Sequence, residues 1–383
     1  MAYQPVKFPP YRQDEFLKTL RGRIDGYFAE KGISQHANAE MVFKTFCLVS
    51  LYIVPYILMM SGVISTAWGI FAAFLIMGFA KAFNGMAVMH DANHGAYSAN
   101  PNVNRWVGYV LNMLGGLVLN WKIQHNRLHH SYTNIDGHDE DIDAGFFLRF
   151  SPSQKRHGFH KTQHLYAWIF YGLNTLIWVT IKDFLKLAQY KKKGFITSKD
   201  NKYQITLAKI IGLKVFYFTY ALVLPLMFLP VANWVIVVSF MAMHYVAGLT
   251  LACVFQLAHV MPTSTYPMPN NQGSMENQWA IHQLHTTTNF SPNSPVFSWF
   301  LGGLNYQVEH HLFPKVCHVH YRNLAPIVKQ TAEEYGVPYN NQGSFLNALY
   351  QHAKMLKALG NEELTPEGLT EDGYKKEKVA VPA

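Results

Sequence analysis

Four apolar runs, each about as long as a helix that crosses a bilayer, stand out along the chain. They cover residues 43–60, 66–85, 212–229 and 231–253. A helix of roughly 20 apolar residues crosses a hydrocarbon core of roughly 30 Å. Only a few residues separate the first run from the second and the third from the fourth. The pattern therefore predicts an all-α membrane protein with four transmembrane helices arranged in two hairpins.

The distribution of basic residues predicts which side of the membrane each segment occupies. Residues 61–65 and the turn around Pro230 contain no Lys or Arg, whereas basic residues precede the first run, separate the second from the third and follow the fourth. By the positive-inside rule, both termini and the 86–211 region are cytoplasmic. Lys44, Lys81 and Lys214 lie near span ends, and their ammonium groups are expected to extend to the membrane surface. We expect a cytoplasmic segment (1–40), a membrane domain (41–340) and a cytoplasmic tail (341–383).

The composition agrees with a membrane protein. Half of the 383 residues are hydrophobic and 14% are charged, against about 25% in a typical soluble protein. The net charge of +9 suits anionic membrane lipid, so we expect no nucleic-acid partner. The three cysteines are fewer than the four thiolates that usually hold an iron–sulfur cluster.

Histidine is the unusual residue, with 19 copies. His90 and His94 in MHDANHG are four residues apart, and so are His125 and His129 in QHNRLHH. On a helix, residues i and i+4 share a face, so each pair is able to meet one metal ion. His130 adds a ring that an α-helix would point about 100° further around.

A third histidine motif and one further histidine extend the pattern. QVEHH contains Gln307, Glu309, His310 and His311, and His259 directly follows the fourth apolar run. The charge pattern places all of these motifs on one side of the membrane. Eight imidazoles are more than one tetrahedral zinc site uses, so we expect two metal ions. Imidazole suits iron, copper, nickel and zinc, and the spacing alone does not identify the metal.

Other metalloprotein classes find little support in the sequence. There is no HExxH motif, so a zincin-type protease is not indicated. A bis-histidine haem protein would place single histidines inside facing spans, and only His244 is well inside a span. We interpret His244 as a packing residue or a polar contact between helices. We expect no haem in the chain.

The motifs HDANH, HNRLHH and QVEHH, placed around two membrane hairpins, resemble the three histidine boxes of the membrane fatty acid desaturases. The resemblance covers about residues 41–339. A third box that opens with Gln is typical of front-end desaturases, which insert a double bond between an existing one and the carboxyl end. The stretches WAIHQLHTTTNFSP and HHLFPKVCHVHYRNLAPIV also resemble that branch, including its bacterial members.

The resemblance implies a cytoplasmic helical cap that holds two iron ions, with O2 as co-substrate and a fatty acyl-CoA or acyl-lipid as substrate. The implied iron ligands are His90, His94, His125, His129, His130, His310 and His311, with His259 as an additional ligand from outside the boxes. Gln307 replaces the first histidine of the commoner third box. It would bind iron directly, bind it through water, or orient a neighbouring ligand.

The resemblance also concerns the electron supply and the location. Many front-end desaturases carry a fused domain of the cytochrome b type with an HPGG motif, and residues 1–40 contain no HPGG. We therefore expect a separate donor, either a ferredoxin or a small b-type cytochrome with its reductase. The expected location is a bacterial inner membrane, in contact with membrane lipid.

Two further sets of residues are candidates for supporting roles. Candidates to hold the free nitrogen of a ligand ring, or to contact substrate, are Asp91, Asn93, Asn126, Asp139, Asp143, Glu309, His282 and His285. Candidates to line an apolar tunnel for the acyl chain are Trp121, Trp279, Phe290, Phe297, Trp299 and Phe300. The alternatives are a solvated acidic loop, solvent-facing histidines and ordinary interfacial packing of the aromatic residues.

Three functions are compatible with this pattern. The first is a fatty acyl desaturase that forms a cis double bond. The second is a fatty acyl or lipid hydroxylase of the same di-iron superfamily, which would add oxygen to carbon instead of removing a second hydrogen. The third is a membrane metal-binding or transport protein, which would be expected to carry functional polar residues within its spans. The apolar spans favour the first two.

Overall fold

Helices form most of the protein. The computed structural model describes residues 3–10, 14–196 and 202–364, and in these ranges the only β pairing consists of isolated bridges at Lys7–Ser274 and Asn289–Asn341. The α-helices of these ranges are α1 (Glu15–Lys31), α2 (Ala39–Met60), α3 (Ala67–Phe83), α4 (Met89–His94), α5 (Pro101–Gly108), α6 (Val110–Met113), α7 (Val118–Trp121), α8 (His130–Tyr132), α9 (Gln163–Ile177), α10 (Asp183–Lys192), α11 (Lys202–Phe218), α12 (Leu224–Phe228), α13 (Asn233–His259), α14 (Trp279–Thr286), α15 (Pro295–Phe300), α16 (Gln307–Leu312), α17 (Tyr321–Glu334) and α18 (Phe345–Asn361). Wider π-helical turns occur at Asn84–Val88, Lys122–His129, Trp178–Lys182 and Thr219–Val223, and 3-10 turns at Gly158–Thr162 and His318–His320. The predicted C-terminal tail lies outside the described residues from 365 onward.

The four predicted spans are confirmed as apolar helices that are long enough to cross a membrane. They cover Ala39–Met60, Ala67–His94, Lys202–Phe228 and Asn233–His259. All four are longer than the apolar runs, because helical hydrogen bonding extends beyond the apolar residues. As a result, one histidine motif ends the second span and His259 ends the fourth.

The chain divides into two compact units. The membrane unit contains Ala37–Ile123 and Trp168–Cys253, and therefore nearly all of the four spans. The histidine unit contains Gln4–His36, Gln124–Ala167 and the chain from Val254 onward.

Both hairpins contribute to the core of the membrane unit. Buried side chains of this core are Tyr52, Met59, Ile70, Phe74, Met77, Tyr217, Ile236, Phe240 and Met243. Helices α3 and α13 approach closely at Gly78, where an added Cβ would lie 2.6 Å from the Met243 carbonyl oxygen. Close approach at small residues is typical of packed membrane helices. Large apolar side chains such as Phe46 and Trp68 are exposed on the same unit, as expected of a surface in contact with lipid.

The expectation that the lysines near the span ends extend to the membrane surface is wrong. Lys44, Lys81 and Lys214 are all buried. The Lys81 ammonium donates to the Leu114 carbonyl oxygen at 2.7 Å and to the Tyr217 hydroxyl at 2.9 Å. The segment after α6 supplies the first acceptor and α11 supplies the second, and hydropathy does not predict such long-range contacts.

Lys214 is held by a buried ion pair. Its ammonium lies 2.6 Å from Asp183 Oδ2 and donates to the Gly115 carbonyl oxygen at 2.7 Å. Asp183 also accepts from Asn120 Nδ2 at 3.1 Å. Because each charge has a partner of opposite sign and further hydrogen bonds, the pair is tolerated away from water.

His244 makes polar contacts between helices, as interpreted from the sequence. Its Nδ1 lies 3.0 Å from the Thr175 hydroxyl, and its Nε2 lies 2.9 Å from the Tyr217 hydroxyl. Both ring nitrogens therefore have partners within the membrane unit.

The core of the histidine unit is a separate apolar cluster. It joins α1, α14, α16 and α17 through Leu20, Ile24, Leu284, Val308 and Leu324. The Asp14 carboxylate caps α1 by accepting from the Leu17 amide at 2.8 Å. This cluster fixes α16, which carries the third histidine motif, against the helices that provide its partners.

Loss of the buried ion pair should destabilise the fold. Lys214→Met leaves the Asp183 carboxylate buried without a cation, at an expected cost of about 3–5 kcal/mol. The measurement is the thermal denaturation midpoint in detergent. Lys209→Met is the control, because Lys209 is exposed on the same helix, and it should have little effect. A Lys214→Met midpoint equal to that of Lys209→Met would contradict a stabilising role for the pair.

Candidate metal centre

The first histidine motif lies at the end of the second span. A π-helical turn at Asn84–Val88 leads into α4, and Gly95, with a positive φ of 80°, ends the helix. The rings of His90 and His94 share one face, as the spacing predicts, with centroids 4.7 Å apart. The Trp121 ring packs edge-on against both, with its centroid 5.6 Å from each of theirs.

The second motif lies on the π-helical segment Lys122–His129, and this changes the predicted direction of His130. The Nε2 atoms of His125 and His130 are 3.2 Å apart. Hydrogen bonds from i to i+5 place residue i+5 about one turn after residue i. The prediction that His130 points about 100° away is therefore wrong, because it assumed α-helical winding.

Three histidines from three separate segments meet in the histidine unit. His129, His259 and His311 are buried, and one ring nitrogen from each lies within 4.8 Å of the others. The ring centroids are 4.7 Å apart for His129–His259, 4.9 Å for His129–His311 and 4.8 Å for His259–His311. This near-equilateral arrangement suits a single metal ion.

A second group of three rings lies beside the first. The centroids of His125 and His130 are 4.7 Å apart, those of His130 and His310 are 4.6 Å apart, and those of His125 and His310 are 6.1 Å apart. The rings of His130 and His311 stack at 4.4 Å and so connect the two groups. Six of the eight predicted ligands are therefore neighbours within one unit.

Four of these rings have a partner within about 3.2 Å of Nδ1, and His125 Nδ1 lies 3.5 Å from Asp141 Oδ2. The contacts join His129 to Asp139 at 3.1 Å, His259 to the Thr286 carbonyl oxygen at 3.2 Å, His310 to the Tyr321 hydroxyl at 3.2 Å and His311 to Gln283 Oε1 at 2.8 Å. The Nε2 atoms of His129 and His259 are buried and have no hydrogen-bond partner among the described residues. Buried polar atoms normally have partners, and a metal ion bound at Nε2 would satisfy them. The residues therefore fit a histidine-bound metal.

Acidic residues raise the pKa of two histidines of the second motif relative to the effect of burial alone. Burial alone would lower the pKa of His129, but the Asp139 and Asp141 carboxylates outweigh it and raise this pKa. Burial lowers the pKa of His125, although Asp141, with Oδ2 3.5 Å from His125 Nδ1, opposes the shift. Asp143 is exposed and accepts from the Gly145 amide at 3.1 Å. Asp141 thus takes the position expected for Asp143.

Two other predicted supporting residues make contacts away from the ligand rings. Glu309 accepts from Asn289 Nδ2 and from the Tyr339 hydroxyl, both at 2.8 Å, and burial raises its pKa to about 7. The Asn93 amide donates to the Gly108 carbonyl oxygen at 3.3 Å. Glu309 therefore anchors α16, and Asn93 links α4 to α5.

The remaining polar candidates are buried or half-buried in their units. His282 Nε2 lies 2.8 Å from the Thr133 carbonyl oxygen, and burial lowers the pKa of His282 to about 4. His285 is buried on the same helix, Asp91 is buried on α4 and Asn126 is half-buried. Gln307 is buried at the start of α16, and its Nε2 has no hydrogen-bond partner among the described residues.

The aromatic residues predicted to line an acyl tunnel fall into separate groups. Trp121 contacts the first motif, and Trp279 Nε1 donates to the His130 carbonyl oxygen at 3.0 Å. Phe290 and Phe297 pack together at 6.4 Å, and Trp299 and Phe300 at 5.0 Å. Their part in holding an acyl chain stays a prediction.

Several partners of the ligand rings were not predicted. They are Asp141, Thr133, Gln283, Thr286 and Tyr321. Most come from segments distant in sequence, so spacing does not reveal them. Gln283, Thr286 and Tyr321 lie within WAIHQLHTTTNFSP and HHLFPKVCHVHYRNLAPIV, the stretches that resemble front-end desaturases. That resemblance is the sequence signal that points to them.

Apolar spanning helices combined with buried groups of imidazoles define a membrane metalloprotein. A profile of the family described as "Fatty acid desaturase" matches residues 66–343. The chain therefore belongs to the fatty acid desaturase family, and it is an oxidoreductase that acts on fatty acyl chains.

Relatives from several organisms agree with this assignment. The chain is 34% identical to an sn-1 linoleoyl-lipid 6-desaturase of Synechocystis sp., over 94% of this chain and 99% of that protein. It is 32% identical to a protein of the same name from Arthrospira platensis, over 90% and 92%. It is also 32% identical to an acyl-lipid (8-3)-desaturase of Physcomitrium patens, over 95% of this chain and 75% of that protein.

Removal of the charge that faces His129 should weaken metal binding. Asp139→Asn replaces a carboxylate that holds Nδ1 with a neutral amide, and partners of this kind typically contribute about 10–100-fold in metal affinity. The measurement is competition with a chelator, read as bound metal per chain. Asp143→Asn, the same change at an exposed position of the same loop, should leave the affinity unchanged. Equal affinities for the two variants would contradict the role assigned to Asp139.

Proposed function

We propose that this desaturase inserts a cis double bond into the acyl chain of an acyl lipid at a two-iron centre. The proposed ligands are His90, His94, His125, His129, His130, His259, His310 and His311. The main support is the pair of three-ring groups in the histidine unit, in one of which a ring nitrogen of each histidine lies within 4.8 Å of the others. His90 and His94 are included because of their shared face and their match to the first histidine box.

The substrate explains why a metal centre is needed. The methylene C–H bonds of an acyl chain are unactivated, so a strong oxidant has to remove the hydrogens. Two bound irons would supply O2-dependent oxidation, in which one O2, two external electrons, two protons and the two hydrogens of the chain give two waters and a double bond. The protein's own residues orient the ligand rings through Asp139, Gln283 and Tyr321.

We include Gln307 in the site. Its buried Nε2 lacks a hydrogen-bond partner among the described residues, and it lies on the same short helix as His310 and His311. A buried amide in this condition is suited to hold a group that comes from outside the chain, such as a water or the substrate. Gln307 also opens the third histidine box, which is the feature that resembles the front-end branch.

The resemblance to the front-end branch also supports a position for the new double bond and a lipid-linked form of the substrate. The Synechocystis and Arthrospira relatives are named for position 6 of a linoleoyl lipid, and the Physcomitrium relative is named as an acyl-lipid desaturase. Together with the Gln-opened third box, these names support front-end insertion into a lipid-linked chain in preference to acyl-CoA.

The proposal extends to location and electron supply. The charge pattern supports a cytoplasmic position for residues 1–40, 86–211 and those after 253, and the cyanobacterial relatives support a bacterial inner membrane. A separate ferredoxin or small b-type cytochrome with its reductase would supply electrons. Three cysteines are too few for a built-in iron–sulfur cluster of the usual kind.

Expression in a host that is fed linoleic acid tests the reaction. The expected product has two hydrogens fewer than the substrate, with the new double bond on the carboxyl side of the existing ones. Mass spectrometry and double-bond derivatisation of the cellular lipids are the measurements. His129→Ala should reach the membrane in normal amounts and give no product.

Two results would contradict the proposed reaction. A product with one added oxygen atom and no additional double bond would indicate a hydroxylase. Formation of the unsaturated product by His129→Ala at the wild-type rate would show that the proposed ligands do not support the chemistry.

A further inference from the structure

Thr133 and Asn134 closely follow the second histidine motif, at the point where the chain leaves helical structure. Helix α8 ends at Tyr132, and Asn134 has a positive φ of 59°. This left-handed conformation is uncommon for residues other than glycine, although asparagine adopts it more readily than most. Both side chains are fully buried. A buried residue keeps such a conformation only where its contacts fix it.

Asn134 connects the segments that carry His129 and His259. Its backbone amide donates to Asp139 Oδ2 at 2.9 Å, and the same carboxylate oxygen lies 3.1 Å from His129 Nδ1. Its side-chain Nδ2 donates to the His259 carbonyl oxygen at 3.0 Å and to the Thr265 carbonyl oxygen at 3.2 Å. One residue therefore holds the carboxylate that orients one ligand ring and the backbone that carries another.

Thr133 extends this connection to a third ring. Its hydroxyl donates to the His129 carbonyl oxygen at 2.7 Å. The hydroxyl oxygen lies 2.9 Å from Gln283 Oε1 and 3.3 Å from His311 Nδ1, and Gln283 Oε1 itself lies 2.8 Å from His311 Nδ1. The Thr133 carbonyl oxygen lies 2.8 Å from His282 Nε2, which fixes this peptide group against α14. Thr133 therefore contacts the partner that orients the His311 ring.

Together, the two residues connect all three members of one ring group. His129, His259 and His311 are far apart in sequence, yet one ring nitrogen of each lies within 4.8 Å of the others. Ordering three separate segments costs conformational entropy. A metal ion binds more tightly where the fold has ordered its ligands in advance.

A turn that only reversed the chain would not need these side chains. Glycine adopts a positive φ readily, and the chain has glycine with positive φ nearby, at Gly137 and Gly145. At Thr133 and Asn134 it has two buried polar side chains instead, and their hydrogen bonds reach the segments that carry the ligands. A role in holding these segments accounts for the choice of residues, whereas chain reversal alone does not.

We propose that Thr133 and Asn134 are positioning residues, which assemble this three-histidine group for one metal ion. They act through the side chains that orient the rings and through the ligand-bearing backbone, and not as ligands. The inference rests on the proposed function, in which the group holds one of two irons, and it adds the residues that keep this half of the centre in place. Because the hydrogen bonds reach the carriers of one group, their loss should weaken the binding of one iron more than that of the other.

Iron retention by two variants tests the proposal. Thr133→Val removes the hydroxyl with little change in shape, and Asn134→Gly removes the amide while a positive φ stays accessible. The purified full-length protein, loaded with isotope-enriched Fe2+ in detergent, is titrated with a chelator. Elemental analysis gives the iron retained per chain, and Mössbauer spectroscopy distinguishes the two irons. In each variant, the affinity for one iron should fall by about tenfold or more, as is typical when a partner that orients a metal ligand is lost.

Two matched substitutions control for damage to the fold. Thr133→Ser keeps the hydroxyl and should retain both irons as the wild type does. Ser291→Gly makes the same kind of backbone change at another residue of the histidine unit with a positive φ, of 48°, and should also retain both. Circular dichroism at the assay temperature should give the same helical content for all variants. If either Thr133→Val or Asn134→Gly loses helical content, the other decides the question.

The results separate this inference from the proposed reaction. Equal iron retention by the wild type, Thr133→Val and Asn134→Gly would overturn the positioning role, and so would parallel loss of both irons, because the contacts reach one ring group. Wild-type protein that holds iron but forms no double bond, together with loss of one iron in the variants, would contradict the proposed reaction and support the positioning role. Normal desaturation by the wild type with equal iron retention by the variants would do the reverse.

Discussion

The structure depends on how buried imidazoles are satisfied. Each ring has two nitrogens, and an unsatisfied buried polar atom costs about 1–3 kcal/mol. Asp139, Thr286, Tyr321 and Gln283 each hold the Nδ1 of one ring in the histidine unit. The Nε2 atoms of His129 and His259 are buried and have no hydrogen-bond partner in the described part of the chain. Such groups are costly unless something binds these nitrogens, and a metal ion does so for several rings at once.

Helix geometry brings the rings to the positions where they share a ligand. The π-helical segment Lys122–His129 turns His130 toward His125. As a result, His125 and His130 belong to one three-ring group, and His129 of the same motif belongs to the other. His259 arrives at the end of a long apolar helix, and His310 and His311 arrive on α16. Because these segments are far apart in sequence, the site forms only when the histidine unit folds. Helix α16 is itself held by Glu309, whose carboxylate is fixed by Asn289 and Tyr339.

The sequence allows some of these features to be predicted and hides others. Spans depend on local hydrophobicity, so all four are found, although helices that continue past the apolar run, as at His94 and His259, have later ends than predicted. The same local reasoning is wrong for Lys81 and Lys214, whose partners are distant carbonyls and Asp183. Histidine spacing identifies ligand candidates, but π winding and the contacts made by Asp141 and Gln283 depend on tertiary structure.

The most direct test of the central claim is the metal content of purified, active enzyme, measured by elemental analysis together with Mössbauer spectroscopy. The proposed function predicts two iron atoms per chain in a nitrogen-rich environment, with iron and activity lost together on chelation. Fully active protein that contains no iron would contradict the account.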